Sequence, residues 1–118
     1  MKHGTAMPAR DRGALALAAM IAFAAPAAYA DAPSQSRQAE LIYRLRQDCG
    51  SCHGYTLKGG LGPSLLPAAL RGKDDDTLVH VILYGMPGRP MPPWKFEVTR
   101  DEAFWLVRRM KKGLKHER

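Results

Sequence analysis

Two thiols and an imidazole stand together at Cys49-Gly50-Ser51-Cys52-His53, and these are the only cysteines in the chain. Three chemistries use a Cys-x-x-Cys pair: thiol–disulfide exchange, half of a zinc site, and covalent attachment of haem, where a following histidine ligates the iron. Thiol exchange of the thioredoxin type sets the pair between a strand and a helix, and no strand pattern surrounds Cys49. Zinc needs further ligands, and downstream of the motif only His80 and His116 are histidines. Haem attachment suits the spacing. Thiols three positions apart on one helical turn reach the two vinyl groups along one edge of the macrocycle. His53 then swings its ring beneath the iron as the proximal ligand.

The N-terminal region bears on the same question. Lys2, Arg10 and Arg12 precede an apolar run from Gly13 to Ala25, and Ala28-Tyr29-Ala30 follows as a small-x-small pattern. The run is shorter than the ~20 residues that cross a bilayer as a helix. It therefore reads as a cleaved signal peptide over 1–30 rather than as an anchor, with no stable membrane span after cleavage. Asp11 splits Arg10 from Arg12, which favours the Sec route over the twin-arginine route. The expected destination is the periplasm, where c-type attachment and an oxidising milieu are compatible. Cleavage removes three basic residues and one acidic residue, so the formal charge falls from +7 to +5. A mildly basic protein favours acidic partner surfaces. No Lys/Arg block is interleaved with aromatics, so the charge does not point to nucleic acid. The C-terminal cluster from Arg108 to Arg118 reads as a helix end complementing its dipole, followed by a solvated tail.

The remaining chain is a small single domain, whose core would be marginal without a staple. After a polar leader at 31–36, residues 37–49 read as a helix running into the cysteine motif, with Ala39, Ile42, Tyr43 and Leu45 on its apolar stripe. A Gly-rich loop spans 54–67. Residues 65–70 suggest a helical turn or two. Asp74 or Asp75 caps a helix over 75–84 that turns Leu78, Val81 and Ile82 inward and stops at Gly85. A Pro-rich loop covers 86–95. Thr99-Arg100-Asp101-Glu102 then forms a capping box for a last helix, with Ala103, Leu106, Val107 and Met110 on one face and Gly113 as its stop. The expected fold is all-α: three to four helices around one covalently held haem, with the domain over 37–113 and a basic tail at 114–118.

With these residues in place, 37–113 resembles a small class I cytochrome c. The resemblance implies that Gly62-Pro63 is the family's loop element and that the Pro63 carbonyl accepts the ring N–H of His53. It also implies an axial methionine from a methionine-plus-proline segment, which Met91 in Arg89-Pro90-Met91-Pro92-Pro93-Trp94 matches. Met86 and His80 are the alternative ligands, whereas Met110 lies on the inward face of the last helix and reads as core. An aromatic of the last helix is expected to pack on the first helix, and the sequence does not choose between Phe104 and Trp105. Tyr43 and Leu45 are the partners expected opposite it.

A narrower resemblance rests on Leu57–Pro67, Gly85-Met86-Pro87-Gly88 and Met91–Trp94. These segments are similar to the NirC-type small monohaem cytochromes that accompany haem-c/haem-d nitrite reductases in denitrifying bacteria. The implied cofactor set is one covalent haem c, held by Cys49 and Cys52 and ligated by His53 and Met91. The implied role is electron carriage by a monomer, without catalysis, to acidic periplasmic redox proteins such as nitrite reductase. Two other roles are compatible with the same residues: electron supply to, or a chaperone role in, maturation of the reductase haem, and ligand sensing through a displaceable methionine. Lys58, Arg89 and Lys95 are the candidate steering charges.

Overall fold

A computed structural model describes residues 3–5 and 32–115. The expected signal peptide, residues 3–5 apart, and the end of the basic tail, including His116, lie outside the described residues.

Helix α1 covers Gln35–Arg44 and begins earlier than the apolar pattern suggests, because the Ser34 side chain accepts the Arg37 N–H at 3.3 Å and caps it. The helical path continues through one wider π turn, Leu45–Cys49, into α2, Gly50–His53. The buried stripe keeps Leu45 and, half-buried against the core, Ile42 of the expected residues, and adds Leu41. Leu41 and Leu45 are fully enclosed, whereas Ala39 is exposed and Tyr43 is 68% exposed. The two leucines sit four apart on one face and carry more apolar surface than alanine, so they win the core-facing side.

Helix α3, Pro67–Leu70, is a single turn with Pro67 at its first position, where the missing N–H costs nothing. Helix α4 spans Asp75–Tyr84. Of the two candidate caps it is Asp74 that serves, accepting the Thr77 N–H at 2.8 Å. Helix α5, Arg100–Lys112, opens on a complete capping box between Thr99 and Glu102 and ends at Gly113. Arg109, Lys111 and Lys112 occupy its last turn, at the negative end of the helix dipole. The only β feature among the described residues is one antiparallel bridge, Met86 to Met91.

The core joins Leu41 and Leu45 to Val79 and Leu83 of α4 and to Ala103, Leu106, Val107 and Met110 of α5. The four α5 residues are those its periodicity names. In α4 the outcome is different. Val79 and Leu83 are fully buried in the core, while Leu78 and Ile82 turn inward as expected, half-buried against that core, and with Val81 also border a cavity. The helix thus has one broad apolar arc with a core side and a cavity side.

Three ion pairs among the described residues link one helix to another, one of them an exposed pair from Arg100 of α5 to Asp76 of α4 at 2.6 Å. Arg37 of α1 clamps Glu102 of α5 through Nε at 2.6 Å and a second N–H at 3.1 Å, and also donates to the Glu97 carbonyl at 2.9 Å. Lys111 near the end of α5 reaches Asp75 at the start of α4. Among the described residues no helix is long and apolar enough to cross a membrane.

Candidate functional site

Helix α2 ends at His53, and a helix end leaves carbonyls without partners inside the helix. The Gly-rich loop supplies them: the Gly62 N–H donates to the Cys52 carbonyl at 2.8 Å and the Gly59 N–H to the His53 carbonyl at 2.9 Å. This folds the loop back over the motif and brings Pro63 against the histidine. The His53 ring is buried, and its Nδ1 lies 2.7 Å from the Pro63 carbonyl oxygen. A carbonyl can only accept, so Nδ1 carries the proton and Nε2 keeps a free lone pair. Gly62 makes the approach possible. A Cβ there would fall 2.7 Å from Cε1 and 2.8 Å from Nδ1 of His53, well inside contact distance.

Beside this ring lies a cavity of about 1060 Å³. Its size is at the upper end of the roughly 300–1,000 Å³ of small-molecule and cofactor sites. Cys49, Cys52 and His53 form one wall. Leu78, Val81 and Ile82 of α4 form another, and the Pro-rich loop closes a third with Met86, Met91 and Trp94. Met110 also reaches the cavity from within the core. Both cysteines are free thiols. Burial, reinforced by the Asp48 carboxylate, pushes the Cys49 thiol up to about 11, so it stands protonated at neutral pH.

The Pro-rich loop is fastened to α4. The Trp94 N–H donates to the Ile82 carbonyl at 3.0 Å and the Lys95 N–H to the Leu83 carbonyl at 3.1 Å. Gly85 adopts φ +71°, and a Cβ on it would collide with the Met91 carbonyl oxygen. The glycine expected as a helix stop therefore also seats the methionine segment.

The structure brings Cys49, Cys52, His53, Pro63, Met86 and Met91 to this one cavity. It does not bring His80, which is exposed on α4 and stacked on Tyr84 at 4.8 Å between ring centres. Of the candidate steering charges, Arg89 lines the cavity, while Lys58 and Lys95 are exposed on its flanking loops. Lys95 stands over the rings of Tyr84 and Phe96. Phe104 and Trp105 are both half-buried, the first flanked by Arg100 and Arg108 and the second by Arg109.

One participant is absent from the sequence reading. Arg44 lines the cavity and pairs with Glu97 at 3.2 Å, Asp48 at 3.5 Å and Glu40 at 3.9 Å, while its buried Nε has no partner among the described residues. The spacing Glu40, Arg44, Asp48 is the i, i+4 pattern that could have revealed it. The donor set fits a covalently held tetrapyrrole. Two thiols, an imidazole with its outer nitrogen free and thioether sulfurs all border one largely apolar space large enough for a macrocycle.

Comparison with known proteins agrees. Residues 35–108 match the family described as cytochrome C oxidase, cbb3-type, subunit III. The chain is 50% identical over 99 residues to cytochrome c55X of Pseudomonas aeruginosa, covering 84% of this chain and 83% of that one. It is 54% identical to the solved structure of the c-type cytochrome NirC, with a TM-score of 0.68, covering 69% of this chain and 95% of the other. A dihydro-heme d1 dehydrogenase, NirN, solved in complex with DHE, is similar over 65% of this chain but only 16% of its own length, at 31% identity and a TM-score of 0.57.

Proposed function

The chain belongs to the c-type cytochrome family described as cytochrome C oxidase, cbb3-type, subunit III, and from that premise we propose that it is a periplasmic monohaem carrier of single electrons serving the nitrite reductase system. Cys49 and Cys52 would hold the haem through thioether bonds, and His53 and Met91 would ligate its iron. The haem supplies one-electron exchange at its iron. The Pro63 carbonyl holds the His53 ring plane and tautomer, which leaves Nε2 as the donor to metal. Gly85 and the two hydrogen bonds from Trp94 and Lys95 seat the Met91 segment. The apolar wall from α4 excludes water and, with a thioether ligand, favours the reduced state. The observation that carries the reading is the convergence of both thiols, the pre-oriented imidazole and Met91 on one cavity.

Intact mass of the purified protein tests the attachment. It should exceed the polypeptide cleaved after Ala30 by one haem, and a mass equal to the bare polypeptide overturns the assignment. Reduction of purified nitrite reductase by the reduced cytochrome tests the partner, with slower transfer expected as salt screens Lys58, Arg89 and Lys95.

A second reading has its own support in the likeness to part of a dihydro-heme d1 dehydrogenase. A dehydrogenase must pass on the electrons it removes, and a small carrier of this family would accept them. Under that reading the cytochrome is reduced during maturation of the reductase haem. Rapid reduction by such a dehydrogenase, with no transfer to nitrite reductase, would decide for it.

A further inference from the structure

The Pro-rich loop brings two thioethers, not one, to the cavity. Met86 and Met91 are directly opposed in the antiparallel bridge, with the Met86 N–H donating to the Met91 carbonyl at 3.0 Å. The Arg89 N–H returns to the Met86 carbonyl at 3.1 Å and closes the turn between them. Directly opposed residues of an antiparallel pair project to the same face, with their Cβ atoms roughly 4.5–5.5 Å apart. Both side chains accordingly border the same cavity, Met91 half-buried and Met86 39% exposed. The loop cannot splay the two apart, because Gly85 seats one arm against Met91 and α4 fastens the other through Trp94 and Lys95. Methionine is unbranched and rotates about several bonds, so a sulfur displaced by one bridge position is within its conformational range. Met110 reaches the cavity from α5 but is 5% exposed and packed in the core, which restricts its rotation.

We propose that Met86 is a second thioether donor for the axial position that Met91 fills, taking it up when Met91 leaves. The inference rests on the reading that the cavity holds haem between His53 and Met91. Its consequence is that the iron exchanges one sulfur for another by side-chain rotation within a closed loop. The coordination position then stays shut to small exogenous ligands, which separates this site from a sensor with a displaceable methionine.

The test uses the exported, haem-loaded protein with Met91→Ala, Met86→Ala and the double substitution. The readouts are the red sulfur-to-iron band of the ferric form and the affinity for added imidazole. Met91→Ala should keep a shifted thioether band and an imidazole affinity within a few-fold of the parent. The double variant should lose the band and bind imidazole at least about tenfold more tightly. If Met91→Ala already matches the double variant, Met86 does not serve and the proposal fails. If Met86→Ala alone loses the band while Met91→Ala matches the parent, the assignment of Met91 fails with it. Should the alanine loop pack poorly, carbon-13 methionine methyl spectra of the ferrous Met91→Leu protein give the same answer. One strongly upfield-shifted methyl, absent when Met86 is also replaced, is expected, and no shifted methyl overturns the proposal.

Discussion

The two apolar faces of α4 have similar side chains and opposite fates. Val79 and Leu83 are buried in the core that α4 shares with α5, whereas Leu78, Val81 and Ile82 are half-buried and border the cavity. Protein atoms cover the first face fully and the second only in part. An apolar helix face that the chain leaves half-covered beside two thiols and an imidazole is a wall for something apolar that the chain does not encode. The comparison predicts that substitutions on the sealed face change stability without touching redox behaviour, and that those on the cavity face do the reverse.

Leu83→Ala should have the largest effect on stability, about 2–5 kcal/mol as for other large-to-small core changes. Guanidinium unfolding of the haem-loaded protein should show it, with the reduction potential unchanged. A potential that moved with Leu83 would break the distinction between the faces. Gly85→Ala comes next, since a left-handed backbone costs a non-glycine residue about 1–2 kcal/mol before its collision with the Met91 carbonyl is counted. The sulfur-to-iron band should weaken or vanish while helical circular dichroism persists.

Val81→Thr tests the cavity face. Its hydroxyl should lower the potential by making the ferric charge less costly, with a stability loss of only about 1 kcal/mol. The smallest effect belongs to Glu102, which does not line the cavity. The Arg37 guanidinium, aided by the Thr99 N–H, holds its carboxyl below the usual carboxylate range. A depressed folded-state pKa means the added stability is present above the ordinary glutamate value of about 4.3 and is lost as pH falls through the lower folded value. Glu102→Gln should therefore flatten the acid limb of the stability profile and leave the potential alone.

Much of this was legible in the residues. Helix α5 carries its signals locally: a capping box at Thr99, one apolar face and Gly113 at its end. The cavity's defining groups were legible for a similar reason, because Cys49, Cys52 and His53 are adjacent in sequence. Periodicity failed where a helix has more than one apolar partner, as in α4, or where a large exposed aromatic such as Tyr43 imitates a core residue. It also gave no sight of Arg44, whose role depends on Glu97, a residue brought to it only by the tertiary fold. Ser34 reads as polar leader in the sequence because a capping bond, not hydrophobicity, starts α1.

The π turn at Leu45–Cys49 has a consequence in rotational phase. Leu41, Leu45, Cys49 and His53 follow one another at intervals of four. In a straight α-helix each such step overshoots a full turn by about 40°, so His53 would point roughly 120° away from Leu41. A π turn accommodates an extra residue within the turn and winds the chain back by most of that angle. The hydrophobic anchor of the helix and its histidine end are thereby kept on one side, and Leu45, Cys49 and His53 border the same cavity. The turn works as a phase corrector between two helical segments with different obligations. Shortening it by one residue would leave every reactive group in the chain and aim them past the space they serve.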